Sequence, residues 1–259
     1  MTIGKKFLRK QAEIYKNPLN PMRFLRGPRV EDLKVANKAA LVQPGKDPSV
    51  LIVAFTGSAK KLMMPVYEFF ELTKTLGYSR ILLRDRFNKR YHRGIDRQRP
   101  DYSSFLEFLR KETENLAPQK TIFVGTSAGG YAAIRVGHDL GADYVHAFGA
   151  QTGVNPGEPR LPEREPPMDL SGILAKSKSR KTTYYLHYCA NYESDRLHAQ
   201  RLAGLPNVVT LGYPGATHLI TVLIARKGLL GALLSIDNQA RIVDLARQHY
   251  GNDVIITGG

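Results

Sequence analysis

TIFVGTSAGGYAAIRVGHDLG, residues 121–141, is the stretch on which the fold turns. Its opening, Thr121–Gly125, is a short apolar run of the kind a buried strand uses, and Ser127 onward carries small and apolar residues at helical spacing up to a Gly141 stop. Strand and helix meet at Gly125-Thr126-Ser127-Ala128-Gly129, a G-x-S-x-G. A chain that turns this sharply holds the central residue at the tip in a strained conformation. Small residues two before and two after let neighbouring backbone approach. A serine at that tip is exposed, with a helix N-terminus beneath it that favours negative charge. The same five residues could form a plain tight turn with a capping serine. The strand before and the helix after favour Ser127 as a nucleophile.

Outward from this stretch the chain alternates. Strands are expected at 50–55 (VLIVAF), 80–84, 144–149, 182–189 and 207–213, besides 121–125. Helices are expected at 66–77, 101–116, 127–141 and 195–204, and over most of 219–249. LKVA (33–36) and AALV (39–42) flank Asn37-Lys38 and could pair as a hairpin. Six strands with helices between them predict an α/β protein: a three-layer sandwich, its sheet mostly parallel and covered by helices on both faces. Residues 151–181 interrupt the rhythm. Pro156, Pro159, Pro162, Pro166 and Pro167 crowd this segment, which reads as a lid or a compact insertion. The expected organisation is a basic N-terminal arm over 1–30 and a single domain over 31–259.

A serine nucleophile needs a base, and seven histidines are available. His218 lies just past the last expected strand, in Gly215-Ala216-Thr217-His218, at the sheet edge the serine occupies. His146 and His187 fall inside strands, His138, His198 and His249 in helices. His92, in a charged loop, is a second candidate site residue. The base needs an orienting carboxylate, and the loop after 182–189 offers Glu193 and Asp195. Asp195 is preferred, although a helix-capping Asp and a solvated Glu are the plainer readings of the two. The order is then Ser127, Asp195, His218.

With these residues the sequence resembles the α/β-hydrolase superfamily, of the serine esterase and thioesterase kind. The resemblance covers roughly residues 30–250. It rests on GTSAGG (125–130) with its continuation FVGTSAGGYAAIRVG, an acid after the penultimate strand and a histidine after the last. No HGGG run is present, so the lipase type that uses one is not supported. The resemblance implies an oxyanion hole made by the N–H of Ala128 and by one from Phe55-Thr56-Gly57-Ser58, with Gly57 or Ser58 favoured. It implies a Ser-His-Asp triad and an acyl-enzyme, formed from an ester or thioester and released to water or another acceptor. A catalytically silent protein of the same fold that binds an anionic partner is the alternative reading.

Composition sets the outer bounds. The chain has 259 residues, 42% hydrophobic and 24% charged, enough for a sizeable core and too apolar for disorder. Its most apolar stretch, 219–236, is interrupted by Arg226 and Lys227, so no membrane span is expected. MTIGKKFLRKQ carries positive charge without an apolar run behind it, so no secretory signal is expected. With Cys189 as the only cysteine, a cytoplasmic location is. Neither a metal-ligand cluster nor a P-loop motif is present, and no cofactor is expected.

The formal net charge is +15. It gathers in 1–30, in 79–100 (SRILLRDRFNKRYHRGIDRQRP) and in 176–181. The middle segment follows a strand end and should lie beside the site, so Arg90, His92 and Arg93 are candidate substrate-binding residues. Such clustering points to a small or carrier-bound acyl substrate with anionic character, or to a merely solvated basic surface. No recognised nucleic-acid motif accompanies it, and a nucleic-acid partner is not expected. The basic arm lacks an apolar face, so any membrane-surface binding would be weak and salt-sensitive.

Overall fold

The computed structural model describes residues 38–154, 168–176 and 182–258. The expected N-terminal arm, the first arm of the possible hairpin, the five prolines of the interrupting segment and the cations at 178, 180 and 181 lie outside the described residues.

VLIVAF is fully buried, as a strand covered on both faces must be. It ends β2 (Asp47–Phe55), which follows the short β1 (Ala40–Gln43). Then come α1 (Val66–Leu72), β3 (Tyr78–Leu83), α2 (Tyr102–Leu116), β4 (Lys120–Thr126) and α3 (Ala128–Leu140). The second half holds β5 (Tyr144–Phe148), α4 (Leu170–Ala175), β6 (Thr183–Cys189), α5 (Glu193–Leu202) and β7 (Val208–Tyr213). It closes with α6 (Ile220–Arg226), α7 (Leu229–Leu233), α8 (Ile242–Tyr250) and β8 (Ile255–Thr257).

The strands form one eight-stranded sheet in the order β1-β3-β2-β4-β5-β6-β7-β8. Only the edge strands run antiparallel, β1 on β3 and β8 on β7. The second arm of the possible hairpin, 39–42, thus falls largely in β1, which pairs with β3. The helix expected over 219–249 is broken into α6, α7 and a 3₁₀ turn at Ile236–Arg241 before α8. Gly228, at φ 71°, makes the first break. β8 has three residues and no alternation long enough to read in sequence.

Alternate strand residues build two apolar layers. Leu51, Val53, Phe55, Phe123, Val145 and Leu186 join Phe105 and Leu109 of α2 and the apolar face of α3 in one core. The opposite face carries His146, Tyr185 and His187, which meet the C-terminal helices instead. There Gln239 donates both amide hydrogens, to the carbonyls of Leu233 and Ser235. Its Oε1 must therefore accept from His146 Nε2, 2.9 Å away. His187 Nε2 then donates to His146 Nδ1 at 3.0 Å, and the Tyr213 hydroxyl donates to His187 Nδ1 at 3.0 Å. In this wiring both rings are neutral.

Burial holds His146 down to about 4, and burial beside His146 holds His187 well below the usual histidine range. An unfolded chain takes up protons on these rings near pH 6.5, whereas the folded protein does not. Stability is therefore complete above that pH and falls as the solution is acidified towards about pH 4, by about 1.4 kcal/mol per pH unit for each ring. Urea midpoints at pH 7.5 and 5.5 should differ accordingly. Equal midpoints would show that the rings protonate within the fold.

The parallel register sets the C-terminal ends of the central strands in line. Phe55 pairs with Gly125, Thr126 with Phe148, Phe148 with His187, and Cys189 with Tyr213. From β2 the chain moves to β3 on one side and then returns to β4 on the other, so the strand order reverses between β2 and β4. Ligand sites in open α/β sheets gather at such a crevice.

Candidate active site

Six loops leave this edge, and the shortest carries Ser127. The residue sits at φ 53° and ψ −120° between β4 and α3, a conformation side-chain-bearing residues rarely adopt. Its neighbours explain how the turn closes. A Cβ on Gly125 would lie 2.5 Å from the Gly129 carbonyl carbon, and one on Gly129 would lie 2.6 Å from the Thr56 carbonyl oxygen. Ser127 donates its N–H to Phe148 O at 2.9 Å and holds the half-buried tip over the sheet end. Ala128 is the first residue of α3, and first-turn amides have no intrahelical acceptor.

The loops after β6 and β7 are laced together: Ala190 N–H bonds Tyr213 O at 2.8 Å and Asn191 N–H bonds Gly215 O at 2.9 Å. This brings His218 onto Asp195. Nδ1 of His218 lies 2.9 Å from each Asp195 oxygen, with Asp195 3% and His218 24% exposed. A carboxylate only accepts, so Nδ1 carries the proton and Nε2 is left as the basic nitrogen. Glu193, the other acid considered, is exposed. Helix α5 begins at Glu193, so Asp195 lies within its first turn and is not its cap. Asp195 is thus carried on regular structure.

Gly149 joins the two halves. It follows Phe148, the acceptor of the Ser127 amide, and a Cβ there would lie 3.1 Å from His218 Cε1 and 2.8 Å from Asp195 Oδ2. Met63 closes in from the loop after β2, its Cε 2.8 Å from the same point, and takes φ 59° to do so. The Tyr192 ring lies 5.8 Å from that of His218. Sequence reasoning missed all three, since nothing local marks them.

The loop after β2 separates the two expected oxyanion donors. Gly57 donates its N–H to Lys61 O at 2.9 Å and accepts from Lys60 N–H at 2.8 Å, which closes the loop on itself. Its amide is spent in this turn, and Ser58, half-buried, is the one of the pair left as a candidate donor.

The basic segment 79–100, the end of β3 and the loop after it, divides by role. Arg80 bonds Phe70 O and lies over the Phe70 ring, Arg84 is buried on Lys38 O, and Arg99 pairs with Asp96 and lies over Phe108. These three cations serve the fold, so the cluster expected beside the site is not all available to an anion. Asp85 shapes the loop by accepting from Phe87 and Tyr91 amides, and the Tyr91 hydroxyl reaches Leu83 O and Thr56 O. Arg86, Arg93 and Arg97 are exposed. Arg90 donates through Nε to Gln151 Oε1 at 3.0 Å and, with His92, lines a cavity of about 160 Å³ beside α3. Arg93 is not among its lining residues.

The remaining polar candidates have structural partners. His138 meets the Tyr184 hydroxyl, His198 Nδ1 accepts from Thr152 N–H, and His249 bonds Leu245 O. Burial pushes the Cys189 thiol up to about 11, so it is not a thiolate at neutral pH. Among the described residues, no helix is long and apolar enough to cross a membrane.

No family model matches the chain, and no curated protein matches it. Among solved structures it is similar to MenH from S. aureus, at 11% identity over 82% of this chain and 99% of that one, with a TM-score of 0.54. It is similar to Est1E from Butyrivibrio proteoclasticus, seen with ferulic acid bound, at 11% identity over 76% and 95%, TM-score 0.50. A third is an alpha-beta serine hydrolase homologue from Coxiella burnetii, at 12% identity over 75% and 90%, TM-score 0.47.

Proposed function

Because this chain has the α/β-hydrolase fold, we propose that it is a serine hydrolase working on an ester or thioester. The observation that carries this reading is the buried Asp195 holding His218 Nδ1 by both oxygens, on the sheet edge where Ser127 sits at a strained strand-to-helix tip. In the proposed reaction Ser127 Oγ attacks the acyl carbonyl. His218 Nε2 takes the serine proton and returns it to the leaving oxygen or sulfur, and Asp195 stabilises the imidazolium between the two transfers. The Ala128 and Ser58 amides hold the oxyanion, helped by the positive end of α3. Water, or another acceptor, enters by the same base and frees the acyl group.

The strain at Ser127 fits this reading better than a structural turn does. A capping serine has extended backbone and bonds an amide two or three residues on, whereas Ser127 has positive φ and no side-chain cap bond. The exposed Arg86, Arg93 and Arg97 favour an acyl substrate with acidic character, small or carrier-bound.

Intact-mass labelling with a fluorophosphonate probe tests the proposal. The expected result is one adduct on the wild type and none on Ser127→Ala or His218→Ala. An adduct that persists in Ser127→Ala, or a folded wild type that takes none, would remove the reading.

A further inference from the structure

One turn along α3 from Ser127, Tyr131 faces the cavity noted above. Four residues of α-helix advance about 6 Å, so the wall of the cavity that Tyr131 forms stands one helical turn from the nucleophile. We propose that it is the acyl pocket of the enzyme and takes a single aromatic ring, which makes aryl carboxylic esters or thioesters the preferred substrates. This assignment rests on the hydrolase reading.

Size is the first argument. The cavity holds about 160 Å³. A protein cavity of about 150 Å³ accommodates one benzene ring, so a long alkyl chain would not be contained here. The lining is the second. Tyr91, His92, Tyr102 and Tyr131 contribute rings, and Val136 and Met168 contribute apolar surface. The His92 and Tyr131 rings lie 5.1 Å apart. Tyr131 is 1% exposed, and its hydroxyl meets the Met168 backbone at the cavity wall. Arg135, paired with Asp139, lies over the Tyr102 ring and holds it in the lining, and Arg90 is held by Gln151, so the wall is set before a ligand arrives.

Topology supplies the third argument. The leaving group must sit near His218 to receive its proton. His218 follows β7, three strands to one side of β4, whereas the loop bearing Arg90, Tyr91 and His92 follows β3, two strands to the other side. The cavity thus lies on the side of Ser127 from which the leaving group is absent, and the acyl portion is what it can take.

The test compares p-nitrophenyl benzoate with p-nitrophenyl hexanoate, which share a leaving group, each rate being taken relative to that with hydroxide. The benzoate ester should have a kcat/KM at least ten-fold higher. Ala132→Leu, which narrows the cavity from α3, should lower that ratio at least five-fold. Leucine adds bulk to a packed site, so Met168→Trp provides a second variant, at a position 46% exposed where the fold tolerates change. A wild-type ratio near one, or a ratio that neither variant moves, would overturn the proposal. Benzoate binding followed by NMR separates this from failure of the hydrolase reading. Saturable binding weakened by Met168→Trp, with no ester turned over and no Ser127 adduct, would keep the ring site and overturn its acyl role. No saturation at millimolar benzoate would overturn the site itself.

Discussion

Asp195→Asn is expected to lower kcat about 10⁴-fold with KM little changed, while Glu193→Gln leaves both where they were. The size of the effect follows from what the carboxylate does. Both Asp195 oxygens lie 2.9 Å from His218 Nδ1, and the acid is buried, so it holds the ring in one tautomer and would face the cation that forms in the proposed reaction. An asparagine of the same shape can turn its amide nitrogen to the ring. Nδ1 then becomes an acceptor and Nε2 carries the proton, which leaves no base towards the serine. Because the side chain keeps its volume, the variant should fold, and a thermal melt close to the wild type would confirm that the loss is chemical. Glu193 is exposed in the first turn of α5, and its charge is screened by water. Full activity in Asp195→Asn would mean that this acid does not orient the base.

Gly129→Ala is expected to destabilise the protein by about 4 kcal/mol or more, enough to leave little folded material. The added methyl would lie 2.6 Å from Thr56 O and closer still to Phe55 O. Both obstacles are backbone at the end of β2, which is tied to β4 along its length and cannot retreat without breaking that pairing. Gly141→Ala is the control. Gly141 also ends α3, at φ 70°, but nothing lies within 4 Å of a Cβ there. Its cost should stay at about 1–2 kcal/mol, that of a left-handed alanine. Urea unfolding of the two variants separates close approach from backbone strain. A Gly129→Ala protein as stable as Gly141→Ala would mean that α3 stands farther from β2 than the packing indicates.

These two positions illustrate what was legible in the chain and what was not. G-x-S-x-G could be read because part of its requirement is local: a Cβ on Gly125 would meet the Gly129 carbonyl, whereas the approach of Gly129 to β2 appears only in the fold. The buried strands could be read for a similar reason, since a run such as VLIVAF has no polar face to turn to solvent. His218 was legible through strand order alone, because parallel strands deliver their following loops to one edge. Choices between near neighbours were not legible. Asp195 and Glu193 are two residues apart in one helical turn, and only the lacing of Ala190 and Asn191 to the chain after β7 sets one of them against His218.

Gly57 and Ser58 look equivalent in sequence until Lys61 claims the first amide. The cations of 79–100 read as one cluster, yet Arg80, Arg84 and Arg99 turn inward to carbonyls, rings and Asp96. Gly149, Met63 and the ring-lined cavity left no local mark at all. Short-range steric and apolar constraints act along the chain and can be read from it. Partners brought together across tens or hundreds of residues depend on how strands order and loops pack, and only the folded arrangement settles them.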